Sequence, residues 1–309
     1  MNDLPLNQIL QGDALEKLKE LPDESIDCVV TSPPYFRLRD FENEKQIGRE
    51  ETVEEYVQKL VDVFLQIGRI LKNTGTIWLN LGDSYSQGGN GGGGKQDSNR
   101  GSLRIKGRAN KSPKGFKPKE ILGIPWRVAF ALQLEGFYLR QDLIWVKPNC
   151  MPESVTDRFT KSHEYIFLLT KSPDYYFQQQ LEKYTQPMNR WGGDKLKAKG
   201  ESKWDKGTGQ TTYRERNMRP NSEGRNVRSV WVINTKPLQE SNFATFPEQL
   251  ATRCINAGCP LNGIVFDPFC GSGTTLLVAQ KLKRNFIGIE LSAEYIEIAK
   301  KRLAQKVLI

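Results

Sequence analysis

The stretch VFDPFCGSGTTLLVAQKLKRNFIGIE, close to the C-terminal end, constrains the fold more than any other part of the sequence. Its pattern predicts a strand over Gly263–Asp267, a turn with two glycines, a helix over Thr274–Leu282 and a second strand over Asn285–Glu290. A strand joined to its neighbour through a helix is the βαβ unit of parallel sheets. This segment therefore predicts an α/β fold.

The glycine turn also predicts a ligand site. Gly271 and Gly273 leave room for a ligand to approach the backbone, and Glu290 closes the next strand 19 residues after Gly271. Nucleotide-binding α/β folds place an acid at a similar distance, where it binds a ribose diol. The turn has neither the third glycine of the dinucleotide motif nor the lysine of a phosphate loop. We therefore expect a ribose-bearing ligand without a phosphate chain, while a simple tight turn remains the alternative.

Strand and helix patterns alternate along the rest of the chain. Apolar residues at three- and four-residue steps predict helices, and short β-branched or apolar runs predict strands. The predicted strands are Ile26–Val30, Thr76–Leu81, Tyr138–Val146 and Tyr165–Thr170, and the predicted helices are Thr52–Leu71, Pro125–Gly136, Phe246–Ala257 and Ser292–Ala304. Such alternation predicts a mostly parallel sheet.

The positive charge is concentrated in two segments. The chain carries a net charge of +9, yet residues 84–120 hold nine basic against two acidic residues and residues 181–228 hold twelve against six. The remainder of the chain is therefore slightly acidic. The first segment contains the run QGGNGGGGK, and the second interleaves Trp191 and Trp204 with its basic residues. Basic loops with aromatic residues are typical of nucleic-acid contacts, although solvated linkers would have a similar composition.

Several classes of protein do not fit the composition. No apolar run approaches the roughly 20 residues of a membrane span, and the first residues, MNDLPLNQIL, lack the pattern of a signal peptide. The five cysteines are scattered, and His163 is the sole histidine, so neither a disulfide scaffold nor a zinc site is expected. We expect a cytoplasmic protein without a bound metal.

The sequence TSPPY, residues 31–35, directly follows a predicted strand. It therefore lies at the carboxyl edge of the sheet, where open α/β sheets bind ligands. Two prolines fix the backbone and remove two N–H donors, which leaves a rigid turn rich in hydrogen-bond acceptors. The Ser32 hydroxyl and the Tyr35 ring add a further acceptor and a stacking surface. The turn is thus suited to bind an amino group on a flat ring.

TSPPY together with DPFCGSGTT resembles the two hallmark motifs of the S-adenosylmethionine-dependent DNA amino-methyltransferases, which methylate cytosine N4 or adenine N6. The catalytic turn comes first and the cofactor turn last, as in the beta class, so the resemblance implies a circularly permuted Rossmann-like sheet. FATFPEQL, residues 243–250, is similar to a cofactor-contacting segment of that family. The implied organisation is one catalytic domain over 1–309. It comprises a catalytic region at 1–180, a cofactor region at 240–309, a basic flexible insertion at 84–120 and a target-recognition region at 181–228.

The resemblance also implies roles for individual residues. The catalytic turn would comprise Ser32, Pro33, Pro34 and Tyr35, with Tyr35 stacking on a base flipped out of the duplex. S-adenosylmethionine would be bound by Asp13, Thr31, Phe246, Pro247, Asp267, Phe269, Gly271, Ser272, Gly273, Thr274 and Glu290. DNA would be contacted by Arg37, Arg39, Arg104, Arg108, Lys111, Trp191, Arg214 and Arg216. Arg37 and Arg39 could instead form salt bridges within the body of the protein.

The target base is the main open choice. In the resembling family, serine at the first turn position accompanies cytosine-N4 targets more often than adenine-N6 targets, so Ser32 favours cytosine. Methylation of a cytosine ring carbon is disfavoured because no cysteine follows a proline. An RNA or protein methyltransferase and a catalytically inactive DNA-binding protein are weaker alternatives. The expected partner is double-stranded DNA, with a cognate restriction endonuclease as a further candidate, and the protein would be a monomer or homodimer.

Overall fold

A computed structural model of the protein describes residues 4–38, 45–86, 112–183, 223–235 and 246–305. The chain divides into two compact units, one formed by Met1–Gln178 with Ser229–Ile309 and the other by Gln179–Arg228. The strands are β1 Gln8–Gln11, β2 Ile26–Thr31, β3 Leu71–Leu81, β4 Tyr138–Val146, β5 His163–Thr170, β6 Leu181–Glu182, β7 Arg225–Asn226, β8 Val230–Val232, β9 Ile264–Asp267 and β10 Asn285–Glu290. The helices are α1 Ala14–Lys19, α2 Val53–Ile70, α3 Ile124–Leu134, α4 Glu248–Gly258, α5 Thr274–Lys281 and α6 Ala293–Ala304.

The larger unit is built on an eight-stranded sheet with the order β1-β10-β9-β2-β3-β5-β4-β8. All neighbouring strands pair in parallel except β5, which runs antiparallel to both β3 and β4. The predicted mostly parallel α/β sheet is therefore confirmed. The βαβ unit from the C-terminal part of the chain, β9-α5-β10, lies between β2 and β1, which come from the N-terminal part.

Successive residues of a strand point to opposite faces of the sheet, and helices cover both of these faces. Val29 and Ile77 belong to a core that includes the buried faces of α1, α2 and α3. On the other face, the Thr76 hydroxyl donates to the carbonyl of Gly258 at the end of α4 over 3.0 Å. A Cβ on Gly258 would lie 2.3 Å from the indole nitrogen of Trp78, so α4 packs directly on the sheet.

Local sequence signals explain some element boundaries and miss others. Helix α2 begins after Thr52, which forms a reciprocal capping box with Glu55. The predicted start of β3 at Thr76 is too late, because the strand already begins at Leu71. Exposed Asn73 and Thr74 interrupt its apolar run and hide the first part of the strand from a pattern-based prediction.

The smaller unit contains the two-stranded antiparallel ladder of β6 and β7. Within it, the Glu182 carboxylate accepts hydrogen bonds from Arg225 over 2.9 Å and from Arg228 over 3.2 Å. The predicted target-recognition region, 181–228, falls in this unit, and its function stays a prediction. In the larger unit, an antiparallel bridge joins Tyr85 to Ile121, and the Ser86 N–H donates to the Glu120 carbonyl over 2.8 Å, so the two ends of the basic segment 84–120 lie close together.

Candidate functional site

The predicted catalytic turn and the predicted cofactor turn meet at one edge of the sheet. β2, which leads into the TSPPY turn, pairs in parallel with β9, which leads into the glycine turn, through Cys28 with Val265 and Val29 with Phe266. The carboxyl ends of both strands therefore lie side by side, at the edge where open α/β sheets bind ligands. A cavity of about 560 Å³ opens there.

Most of the predicted site residues line this cavity. All four residues of the catalytic turn contribute to its wall, and so do these predicted cofactor-binding residues: Asp13, Phe246, Phe269, Gly271, Ser272, Thr274 and Glu290. The other four do not line it: Thr31, Pro247, Asp267 and Gly273. The geometry therefore supports a direct ligand contact for the first group.

Asp267 joins the two turns from a buried position. Its carboxylate accepts hydrogen bonds from the Thr31 hydroxyl and the Thr275 hydroxyl, each over 2.7 Å, and from the Phe269 N–H over 3.1 Å. Burial raises the pKa of Asp267 to about 6 despite these donors. The residue was expected to line the ligand pocket, but the structure places it as the link between the ends of β2 and β9.

Glu290 holds the glycine turn and also faces the cavity. Its carboxylate accepts a hydrogen bond from the Gly271 N–H and another from the Ser292 N–H, each over 2.8 Å. Burial raises its pKa above the ordinary value for glutamate. The Glu290 carbonyl accepts from the Gly12 N–H over 3.0 Å, which brings Asp13 to the same cavity. Asp13 in turn caps α1 by accepting from the Glu16 N–H over 3.1 Å.

The two glycines of the cofactor turn have different roles. Both have positive φ angles, +51° at Gly271 and +77° at Gly273. A Cβ added to Gly271 would meet no atom within 4 Å, whereas one added to Gly273 would lie 2.9 Å from the Cβ of Ala299 in α6. The expectation that both glycines make room for a ligand is therefore corrected: Gly271 faces the cavity, and Gly273 allows α5 to pack against α6.

A buried arginine fixes the same turn from below. Arg302 of α6 donates through Nη1 to the Ser272 carbonyl over 2.6 Å, to the Ser272 hydroxyl over 3.0 Å and to the Thr274 hydroxyl over 3.1 Å. Charge-assisted hydrogen bonds of this kind are stronger than neutral ones. The sequence gives no signal for this contact, because it depends on how α6 packs under the turn.

The catalytic turn is held rigid by its surroundings. The Pro34 carbonyl accepts a hydrogen bond over 2.8 Å from the Tyr56 hydroxyl, which α2 contributes. Gly48 packs so closely that a Cβ there would lie 2.9 Å from the Tyr35 carbonyl oxygen. The Ser32 hydroxyl lies 3.4 Å from the Tyr35 hydroxyl and lines the cavity. The turn therefore presents its serine side chain to the cavity on a fixed backbone.

The cavity wall also contains polar residues that were not predicted, among them Asn80, Lys147 and Glu164. The Glu164 carboxylate accepts hydrogen bonds from the Tyr35 hydroxyl over 2.8 Å and from the Asn80 amide over 3.1 Å. It also forms an ion pair with Lys147. Burial and the neighbouring Glu164 carboxylate raise the pKa of Tyr35 well above its ordinary value. Tyr35 is thus anchored through its hydroxyl, a contact that the stacking prediction did not include.

The predicted DNA-contacting residues are only partly described by the structure. Arg37 donates to the backbone carbonyls of Glu50 and Glu51, and its guanidinium lies 5.1 Å from the centre of the Phe36 ring. This geometry favours the alternative role of Arg37 within the body of the protein. The remaining predicted contacts lie outside the described residues: Arg39, Arg104, Arg108, Lys111, Trp191, Arg214 and Arg216.

The described residues contain neither a cluster of metal ligands nor a membrane-spanning helix. In the described ranges, no three His, Cys, Asp or Glu side chains come together in a way that could hold a metal ion. Among the helices of the described residues, none combines the length and the apolar character that crossing a membrane requires.

Comparison with known proteins identifies the family. The family model N6_N4_Mtase, described as DNA methylase, matches residues 26–301. The chain belongs to this family of DNA methylases. The match covers both turns of the cavity, and it confirms the resemblance to the DNA amino-methyltransferases that the TSPPY and DPFCGSGTT motifs indicate.

Relatives extend over nearly the whole chain. The type II methyltransferase M.SmaI from Serratia marcescens is 45% identical over 97% of this chain and 91% of its own length. M.Cfr9I from Citrobacter freundii, also named a type II methyltransferase, is 41% identical over 96% of this chain and 87% of its own length.

Solved structures share the fold of this DNA methylase. The PvuII DNA methyltransferase, titled cytosine-N4-specific, superposes with a TM-score of 0.62 at 20% identity and covers 98% of this chain and 88% of its own. M1.HpyAVI, solved as a complex with SAM, gives a TM-score of 0.55 at 21% identity over 96% of this chain and 98% of its own. At these identities the comparison establishes the methyltransferase fold.

Proposed function

We propose that this DNA methylase is a type II enzyme that transfers a methyl group from S-adenosylmethionine to the exocyclic N4 of cytosine in double-stranded DNA. The observation that carries the proposal is the single cavity wall on which the Ser32–Tyr35 turn and the Gly271 turn meet. Relatives more than 40% identical over nearly the full chain are named type II methyltransferases, which supports the choice of DNA modification.

The cofactor end of the cavity fits S-adenosylmethionine. The whole cavity has a volume of about 560 Å³, which lies in the range of small-molecule sites. Gly271 leaves open space beside its backbone, and the Asp13 and Glu290 carboxylates on the wall are suited to accept ribose hydroxyl groups. Phe246 and Phe269 supply apolar wall for the adenine ring. When bound, S-adenosylmethionine supplies an electrophilic methyl group on its sulfonium sulfur.

The catalytic turn would orient the amino group of the target base. An exocyclic amine is a poor nucleophile because its lone pair is delocalised into the ring. The Ser32 hydroxyl and the Pro33 carbonyl would accept its two hydrogens, which favours a pyramidal nitrogen with a directed lone pair. The Pro34 carbonyl already accepts from Tyr56, so the backbone of the turn is fixed before the base arrives.

Cytosine is favoured over adenine by Ser32, because the resembling family has serine at this turn position more often with cytosine targets. Adenine N6 is the alternative target. The two basic segments would bind the DNA backbone through several phosphates. DNA as the substrate would place the protein in the cytoplasm, and type II relatives suggest a cognate restriction endonuclease as a functional partner.

The test is direct product analysis. Purified protein is incubated with labelled S-adenosylmethionine and with duplex DNA, RNA or protein, and the methylated DNA is digested to nucleosides. The proposal expects label in DNA alone and 4-methylcytosine as the product; 6-methyladenine, or label in RNA or protein, would overturn it. Ser32→Ala should lower kcat far more than it raises KM, the pattern of a contact made in the transition state. Ser25→Ala, at the opposite end of the same strand, is the matched control and should leave kcat unchanged.

A further inference from the structure

The ion pair of Lys147 and Glu164 lies on the cavity wall beside the catalytic turn. The two side chains are only 20% and 13% exposed, so the pair is largely removed from bulk water. Lys147 directly follows β4, and Glu164 belongs to β5, which is antiparallel to β4. The Lys147 N–H donates to the Ser162 carbonyl over 2.7 Å and continues this ladder. The pair is thus built into the sheet edge, next to the turn that would hold the reacting amine.

Both carboxylate oxygens of Glu164 have hydrogen-bond partners. Oε1 accepts from Lys147, and Oε2 accepts from the Tyr35 hydroxyl over 2.8 Å and from the Asn80 amide over 3.1 Å. Glu164 is therefore fixed in place and links the lysine to the turn through Tyr35. It also neutralises the lysine charge, which lowers the penalty of holding a cation in a partly buried site.

Lys147 has donor capacity beyond this pair. An ammonium group carries three N–H donors, of which Glu164 accepts one. The Lys147 Nζ lies 4.3 Å from the centre of the Trp145 ring, so the indole supports it from one side. Lys147 also lines the cavity, so its side chain is accessible to a molecule bound there.

The two possible target bases differ at one position of the edge that carries the amino group. In cytosine that edge presents the amino group, the N3 acceptor and the O2 acceptor in sequence. In adenine it presents the amino group, the N1 acceptor and then a C–H group. With the amino group held by Ser32 and Pro33, the ring nitrogen cannot distinguish the bases, whereas the third position can.

We propose that Lys147, held by Glu164, donates a hydrogen bond to O2 of the target cytosine and thereby selects cytosine over adenine. This inference rests on the proposed function, since it assumes a cytosine in the cavity. A site built to hydrogen-bond a substrate group rejects an analogue that lacks it, because its own polar group then stays buried without a partner. Adenine, with C–H at that position, leaves the Lys147 ammonium without this acceptor. The competing interpretation is an ion pair that only braces β4 against β5.

The experiment compares two substrates and two variants. One duplex carries the normal target cytosine; the other carries an analogue that keeps the amino group and the ring nitrogen but has C–H in place of the 2-oxo group. For the unmodified protein, kcat/KM should fall about 10- to 100-fold on the analogue, as expected for a lost hydrogen bond to a charged group. Lys147→Met should lose a similar factor on normal DNA, and the analogue should then lower kcat/KM by less than about threefold.

Lys72→Met is the matched control, because Lys72 forms a 2.7 Å ion pair with Asp27 away from the cavity. For Lys72→Met, the analogue should lower kcat/KM by the same factor as for the unmodified protein. If Lys147→Met does not fold, as judged by thermal melting, Lys147→Gln replaces it. Gln keeps a neutral N–H donor. The analogue should therefore lower kcat/KM of Lys147→Gln by a factor between the roughly 10- to 100-fold of the unmodified protein and the limit of about threefold set for a variant without the donor.

The outcomes separate this inference from the proposed function. If the product is 6-methyladenine, the proposed function fails and the inference falls with it. If the product is 4-methylcytosine but Lys147→Met retains the full penalty for the analogue, only the inference is overturned, and the pair is a brace between strands. Equal kcat/KM of the unmodified protein on both duplexes would also overturn it.

Discussion

Gly273 is the position where the structure changes a prediction most sharply. The sequence predicts that this glycine leaves room for a ligand to approach the backbone. In the structure, Gly273 precedes α5 with φ +77°, and an added Cβ would lie 2.9 Å from the Cβ of Ala299 and 3.4 Å from its Cα. Ala299 is fully buried in α6, so it has little room to move. We therefore expect Gly273→Ala to act first on stability.

The size of the effect follows from two contributions. A non-glycine residue in the left-handed region is disfavoured by about 1–2 kcal/mol. Overpacking a well-filled interior destabilises by about 1–3 kcal/mol. The free energy of unfolding should thus fall by about 2–5 kcal/mol in Gly273→Ala, a large part of the ~5–15 kcal/mol typical of a domain.

A second-site variant isolates the steric part. Ala299→Gly removes the methyl group that the new Cβ would meet. By itself this substitution should lower the free energy of unfolding by about 1 kcal/mol, because glycine has a lower helix propensity than alanine. The double variant Gly273→Ala with Ala299→Gly should therefore be about 1–3 kcal/mol more stable than the sum of the two single effects predicts. Urea unfolding followed by tryptophan fluorescence measures all four proteins, since the chain has six tryptophans.

Gly271→Ala provides the opposite case, because its Cβ would point into open space at the cavity. It should lose only about 1–2 kcal/mol of stability to backbone strain, yet bind S-adenosylmethionine at least about tenfold more weakly by titration calorimetry. The division of roles is refuted if Gly273→Ala weakens the cofactor without destabilising the protein, or if Ala299→Gly gives no rescue.

Further predictions concern pH, the buried arginine and salt. Because the pKa of Asp267 is raised from 3.8 to about 6, the folded state holds its proton more tightly than the unfolded state between these values. The contribution of Asp267 to the free energy of unfolding should therefore fall by about 2–3 kcal/mol as the pH rises through that interval, and then level off. Urea unfolding measured from about pH 4 to pH 7 should show this decrease for the unmodified protein and not for Asp267→Asn. Arg302→Met should lower the unfolding free energy by about 2–4 kcal/mol and weaken cofactor binding, whereas Lys281→Met, which breaks an exposed pair with Glu248, should shift stability by less than about 1 kcal/mol. DNA affinity, measured by fluorescence anisotropy, should fall with salt at a log–log slope of about 0.9 per phosphate contacted, and a slope near zero would show that the basic segments do not bind the backbone.

Elements with a strong local pattern could be predicted from the sequence. Strands Tyr138–Val146 and Asn285–Glu290 have the predicted bounds, because the first ends in the apolar run LIWV ahead of Pro148 and the second contains the apolar run FIGI. Strand β1 could not be predicted in this way. Its four residues, QILQ, have no distinctive pattern, and they form a strand because Gln8 to Gln11 pair with Ile287 to Glu290 of β10. Its place is thus decided by a partner almost the whole chain away.

The candidate site likewise has parts that could be predicted from the sequence and parts that could not. The two turns could be predicted because each is a contiguous motif after a buried strand, and neighbouring parallel strands end at a common edge. The separate roles of Gly271 and Gly273 could not, because they depend on which atoms of α6 lie opposite each glycine. Asp267 likewise has a role set by the Thr31 and Thr275 hydroxyls around it, which only the packing of β2, β9 and α5 brings together.

The direction of β5 explains why Glu164 reaches the site at all. Parallel strands contribute the residues that follow them to the ligand edge of a sheet, so a sequence search looks for polar residues after each strand. Glu164 is instead the second residue of its strand, and in a parallel strand it would lie at the opposite edge, far from Ser32. Because β5 is antiparallel, with Trp145 paired to Glu164 and Val146 to His163, the beginning of β5 meets the end of β4 beside the catalytic turn. The reversed direction of β5 thus brings a carboxylate into contact with both Lys147 and Tyr35, and no local sequence pattern reveals that direction.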